Sequence, residues 1–171
     1  MVTVVSRSIS FGMTLARRQL LISSAAFLVA GPALAADKDF AASPFRRIDN
    51  SEWRKRLSPA AYDVLRRQGT ERPGTSPLDN EHRKGTFICA ACSLPLFRSD
   101  WKFDSGTGWP SFFTVIEKNI SKTRDTSAGM VRTEYHCAQC LGHQGHLFED
   151  GPRPTGRRFC NNGVALKFLP A

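Results

Sequence analysis

The chain has 171 residues, 41% hydrophobic and 23% charged, enough to bury one core and too few for two sizeable ones. Its formal charge of +9 is thinly spread with no dense Lys/Arg block, which argues against a nucleic-acid-binding surface. Three of those charges, Arg7, Arg17 and Arg18, fall in residues 1–35, where there is no acidic residue.

Arg17-Arg18-Gln19-Leu20-Leu21 precedes an uncharged run that closes on Ala33-Leu34-Ala35. A basic region, an apolar region and a small-x-small site in that order predict a signal peptide over residues 1–35. The adjacent arginines followed by leucines favour the twin-arginine route. The expectation is an exported, periplasmic protein whose membrane contact is confined to the export signal. An uncleaved anchor is the alternative, but the apolar run is short for a span and contains Pro32. Met13 offers a second start.

Residues 36–50 show no apolar period and are predicted to be a linker, leaving 51–171 as the domain. Ser51 opens a short helical pattern through Leu57. Ser58-Pro59 opens another, with Tyr62 and Leu65 on its apolar side and Gly69 as its stop. Residues 70–84 are polar and turn-rich. From Gly85 onward short apolar runs alternate with Gly, Pro, Asp and Asn, which predicts strands at 86–88, 112–115, 130–135, 146–148 and 164–168 and a mainly β body.

Cys89-Ala-Ala-Cys92 and Cys137-Ala-Gln-Cys140 are two C-x-x-C pairs. Each spacing lets both thiolates of a tight turn face one cation, and two turns complete a tetrahedral four-sulfur shell suited to one structural zinc ion. Two disulfides are the competing reading, and a lone pair of this spacing would equally suit a redox dithiol. A metal here would tie the Phe87 strand to the Tyr135 strand and turn binding energy into folding energy.

Cys160 is left over. An odd cysteine in an exported protein is either an inert buried thiol or a reactive one. On a strand, Arg158 and Asn162 leave on the same face as Cys160. The Arg158 charge is then expected to lower the thiol pKa, and the Asn162 amide to offer hydrogen bonds. Trp109 sits in the glycine-flanked turn Ser105-Gly-Thr-Gly-Trp-Pro-Ser-Phe112, either presented to a ligand or packed as a core aromatic. His143 and His146 follow the second cysteine pair and are candidates for proton transfer or spare metal ligands. Glu149-Asp150-Gly151-Pro152 reads as a turn.

The ordered string C-x-x-C, SGTGWPSF, C-x-x-C-x-x-H-x-x-H-x-F-x-D-G-P and TG-x-R-F-C-x-N resembles the methionine sulfoxide reductase B family, from about Ser51 to Phe168. The resemblance implies two antiparallel β-sheets in a barrel-like or sandwich core, with short N-terminal helices and a structural zinc at Cys89, Cys92, Cys137 and Cys140. It implies Cys160 as nucleophile, Arg158, Asn162, His143 and His146 around it, and Trp109 with Phe112 on the substrate side. The implied reaction returns methionine R-sulfoxide, free or in oxidised proteins or peptides, to methionine and leaves Cys160 as a sulfenic acid.

Many members carry a resolving cysteine where this chain has Thr107, and no sixth cysteine exists. An external thioredoxin-like, glutaredoxin-like or small-thiol reductant is therefore expected. Many also carry Ser where this chain has Gly163. Two rivals stand beside this reading: a non-catalytic zinc module, in which Cys160 is dispensable, and a thiol peroxidase, which gives no reason for an aromatic pocket at Trp109.

Overall fold

The computed structural model describes Met1 and residues 39–171, so the predicted leader after Met1 lies outside the described residues. Helix α1 (Asn50–Arg56) starts before Ser51 because Asp49 is the cap, its carboxylate accepting from Glu52 N–H at 2.9 Å. Helix α2 (Pro59–Arg67) starts at the predicted Ser58-Pro59 signal, with Ser58 Oγ accepting from Ala61 N–H at 3.2 Å. It ends on Gln68 in the left-handed region, one residue before Gly69. Within the predicted linker, Pro44–Arg47 forms a 3-10 turn, and Arg46 Nη2 donates to the Ala138 carbonyl at 2.7 Å.

Nine strands follow among the described residues: β1 (Gly85–Cys89), β2 (Pro95–Arg98), β3 (Lys102–Phe103), β4 (Ser111–Phe112), β5 (Ile120–Asp125), β6 (Arg132–Cys137), β7 (His143–Phe148), β8 (Arg158–Asn161) and β9 (Leu166–Pro170). They pair antiparallel in two sheets ordered β2-β1-β9 and β3-β4-β8-β7-β6-β5. The larger sheet stays open, with β3 and β5 at its edges, so the fold is a sandwich and not a closed barrel.

Aromatic rings fill the gap between the sheets. Phe97 of the smaller sheet stacks on Phe112 of the larger at 4.0 Å, Phe87 meets Phe112 edge-on at 4.9 Å, and Tyr135 meets Phe159 edge-on at 5.4 Å. Phe87, Phe97, Phe112, Tyr135 and Phe159 are all fully buried. Helix α2 closes one side by packing on β7 and the 163–165 turn.

The register of the larger sheet sorts its side chains. One cross-strand row runs Arg124, Thr133, Leu147, Phe159 and Phe112, and its apolar members face the core. On one side of it lies the row Thr123, Glu134, His146, Cys160 and Ser111, and on the other the pairs Asp125–Arg132 and Phe148–Arg158. Successive residues of a strand point to opposite faces, so these two reactive rows share the face turned away from the aromatic core.

Candidate active site and metal centre

The metal centre grows from two tight turns of the same construction. Cys89 ends β1 and Cys137 ends β6. In each turn the residue after the second cysteine, Ser93 or Leu141, takes a left-handed conformation (φ 61° and 58°). Ser93 N–H donates to the Cys89 carbonyl and Leu141 N–H to the Cys137 carbonyl, both at 2.9 Å. The amides of Cys89 and Cys137 donate forward to Leu94 and Gly142.

One turn belongs to each sheet, and their four sulfurs meet in a buried cluster within 4.8 Å of one another. Cys89 Sγ lies 3.6 Å from Cys140 Sγ, and Cys92 Sγ 3.4 Å from Cys137 Sγ. Four thiolates held about 2.3 Å from one tetrahedral ion stand roughly 3.8 Å apart, so this donor set can hold a metal ion with little movement. Hydrogen bonds from Cys137, Cys140 and Cys92 hold the Cys89 thiol well below the ordinary cysteine range. Gln144 Nε2 also donates to Cys89 Sγ at 3.4 Å.

A second centre lies on the outer face of the larger sheet. A cavity of about 130 Å³ is lined by Thr70, Trp109, Arg132, Gly145, His146, Phe148, Cys160, Asn161 and Asn162. Cys160, Trp109, His146 and Asn162, all singled out in the sequence, therefore meet at one place. Gly145 opposes Asn161 there, and a Cβ at Gly145 would stand 1.9 Å from the Cys160 carbonyl oxygen, so only glycine lets β7 approach β8 at Cys160.

The two histidines separate. His146 Nε2 lies 2.9 Å from Asp125 Oδ2, and Arg132 grips the same oxygen through Nε at 3.1 Å and Nη2 at 2.6 Å. Ser127, then His146 and Arg132, hold the Asp125 carboxyl far below its ordinary value. His143 is 2% exposed, and its Nδ1 lies 2.5 Å from Glu134 Oε1, which also receives His136 Nε2 at 2.9 Å. Burial pulls the His143 pKa down against the opposing charge of Glu134. His143 does not line the cavity.

Trp109 is anchored by its indole N–H, which donates to the Glu71 carbonyl at 3.1 Å. Glu71 N–H donates to Asn162 Oδ1 at 2.9 Å, and the Glu71 carboxylate accepts from the amides of Gly163 and Val164 at 2.5 and 3.0 Å. Asn162 Nδ2 donates to the Gln144 carbonyl at 3.1 Å. Glu71 thus joins the Trp109 turn, Asn162 and the turn after β8, a role invisible in the polar 70–84 stretch.

Three expectations are corrected. Phe112, expected beside the substrate, is buried in the aromatic core because β4 turns Ser111, not Phe112, towards Cys160. The Cys160 pKa is raised rather than lowered: burial pushes it up and outweighs Arg158 and a hydrogen bond from Thr107. The Arg158 charge is already matched, since Nε and Nη2 bind both oxygens of Asp150 at 2.8 and 2.7 Å while the guanidinium lies 4.3 Å over Phe148. Asp150 is therefore more than a turn residue. Gly163 does not have a positive φ; it is glycine because a Cβ there would stand 1.8 Å from Ser76 Oγ.

Residues 57–170 match the SelR domain. A peptide methionine sulfoxide reductase MsrB of Pseudomonas putida (strain W619) is 55% identical over 128 residues, covering 73% of this chain and 96% of that protein. Proteins of the same name from Bradyrhizobium diazoefficiens and Agrobacterium fabrum are 53% identical over 120 residues and 50% over 129. The alignments cover 70% and 75% of this chain and 86% and 96% of theirs.

Proposed function

The chain belongs to the SelR-domain family and is a methionine sulfoxide-reducing enzyme, and from that premise we propose that Cys160 attacks the sulfur of the R epimer and is oxidised to a sulfenic acid. The observation that carries the proposal is the convergence of Cys160, His146, Trp109 and Asn162 on one small cavity. The sulfoxide methyl group would rest on Trp109 with its oxygen towards His146, which supports His146 over the enclosed His143 as proton donor.

The thiolate adds to sulfur while the oxygen gains a proton and passes to Cys160. Methionine sulfur is reduced by two electrons, and Cys160 sulfur is oxidised by two. A thiol then attacks the sulfenic acid and expels water, and a second thiol frees Cys160 as a disulfide leaves. With the other four cysteines gathered at the metal centre, both thiols come from an external thioredoxin-like, glutaredoxin-like or small-molecule reductant.

The natural substrates are oxidised proteins or peptides. The metal is zinc: Cys89, Cys92, Cys137 and Cys140 would hold it, and it would supply cohesion without taking part in turnover. The basic leader followed by an apolar stretch supports export by the twin-arginine route to the periplasm.

The test uses zinc-loaded chain, dithiothreitol and the separate R and S epimers of a protected methionine sulfoxide. Consumption of the R epimer alone, abolished in Cys160→Ser, is the expected outcome. Consumption of both epimers, or activity in Cys160→Ser, would overturn it.

A further inference from the structure

Two consecutive apolar residues, Met130 and Val131, stand 55% and 64% exposed at the end of the β5–β6 hairpin. Single exposed apolar side chains are ordinary on a protein surface, but an adjoining pair beside a site marks a surface that something covers. The pair lines a cavity of about 760 Å³ together with Lys122, Arg124, Leu147 and Glu149. Arg132 and Phe148 line both this cavity and the smaller one at Cys160, so the two adjoin at those residues.

The hairpin is fixed by the same carboxylate that holds His146. Asp125 Oδ2 binds His146 Nε2 and Arg132, while its Oδ1 accepts from Ser127 N–H at 2.8 Å where the turn Ser127–Gly129 begins. Arg132 Nη2 reaches Ser127 Oγ at 3.4 Å, and Met130 N–H closes the turn on the Ser127 carbonyl at 3.4 Å. The apolar pair is therefore presented by a hydrogen-bonded turn set in place relative to the Cys160 cavity.

Distance and charge say what fits there. Arg132 and Met130 precede Glu134, which opposes His146, by two and four residues, and Met130 is itself extended. At the strand rise those steps are about 7 and 13 Å, which two to four residues of an extended polypeptide cover. A methionine sulfoxide side chain in the smaller cavity would lay its chain neighbours over Phe148, Arg132 and the apolar pair. Charge does not select those neighbours: Lys122 is bound to Glu117, Arg132 to Asp125, and Arg124 is offset by Glu149. Methionine packs in apolar cores and its oxidation disrupts them, so the segments that carry the sulfoxide bring apolar residues with them.

We propose that Met130, Val131 and Phe148 form a subsite for the apolar residues that flank methionine sulfoxide in an oxidised polypeptide. The proposal rests on the reading of the Cys160 cavity as the place where the sulfoxide side chain binds.

The experiment measures binding by fluorescence anisotropy to the full, zinc-loaded chain carrying Cys160→Ser, so that nothing turns over. The probes are two labelled pentapeptides with a central methionine R-sulfoxide, one with leucines on both sides and one with serines. The leucine peptide is expected to bind about tenfold tighter, and Met130→Ser with Val131→Ser to remove that advantage. Met130→Leu with Val131→Ile, which keeps the apolar surface, should retain it. Equal affinity for the two peptides, or an advantage that survives the double serine variant, overturns the subsite. If the advantage survives while turnover falls with thioredoxin and not with dithiothreitol, the apolar pair serves the reductant instead. Because binding needs no reaction, a rim-dependent advantage in a protein whose parent chain reduces neither epimer would sustain the subsite while overturning the proposed reaction.

Discussion

In the proposed reaction a thiol whose pKa burial raises has to lose its proton as the sulfoxide oxygen gains one, and His146 faces Cys160 across β7 and β8. His146 is held in turn by Asp125, and Asp125 by Arg132. His146→Asn is expected to lower kcat about a hundredfold with the thermal midpoint little changed. Asp125→Asn should lower kcat by about tenfold with KM unaltered, because it loosens the ring without touching substrate; steady-state kinetics on a protected sulfoxide checks both. The Asp125 pKa is depressed, so its clamp contributes above the ordinary carboxylate value of about 4 and is lost as pH falls through the lowered one.

Gly163 makes a separate residue-scale point. The space that a serine side chain would need there is filled by Ser76, with Glu71 close by. Gly163→Ser should therefore destabilise by about 1–3 kcal/mol in urea denaturation, and Ser76→Gly in the same chain should recover much of that loss.

The elements that carry chemistry were the hardest to see in sequence. β5 reads Ile-Ser-Lys-Thr-Arg-Asp, which has no apolar alternation because an edge strand buries little beyond Ile120. Its last residue, Asp125, is the partner of His146. β8 is four residues long and alternates reactive with core positions, so Arg158 and Cys160 face outward while Phe159 faces the core. The predicted 112–115 strand shrinks to Ser111–Phe112 because beyond Phe112 the chain leaves the ladder; Phe113 N–H bonds the Trp101 carbonyl instead.

Local chemistry was legible where it acts locally. Ser58 with Pro59 sets the start of α2, and Ser58→Ala should cost about 1 kcal/mol by removing the acceptor for Ala61 N–H, measurable by urea denaturation.

At the scale of the molecule, the cysteine cluster joins the two sheets, one turn from each. Arg46 and Arg66 donate to the carbonyls of Ala138 and Cys140, which brings the N-terminal segments onto the same centre. Gln144 bonds Cys89 Sγ and receives Asn161 Nδ2 at 3.4 Å, so the cysteine cluster and the Cys160 strand share a neighbour. Structural zinc contributes about 10–16 kcal/mol in small domains, comparable with or above the whole stability of a typical one. Chelation is therefore expected to unfold both sheets in one transition, seen by circular dichroism, with structure and activity returning together when zinc is restored under reducing conditions.

The grouping of four cysteines into two pairs, the odd Cys160, the mainly β body and the two short helices could all be read from the chain itself. Each rests on spacing, on caps or on alternation, which are properties of neighbours in sequence. Only the tertiary structure separated His146 from His143, sent Phe112 to the core and raised the Cys160 pKa. Those outcomes depend on register across strands, on burial, and on Asp125, Asp150 and Glu71 arriving from distant segments, and no local pattern carries that information.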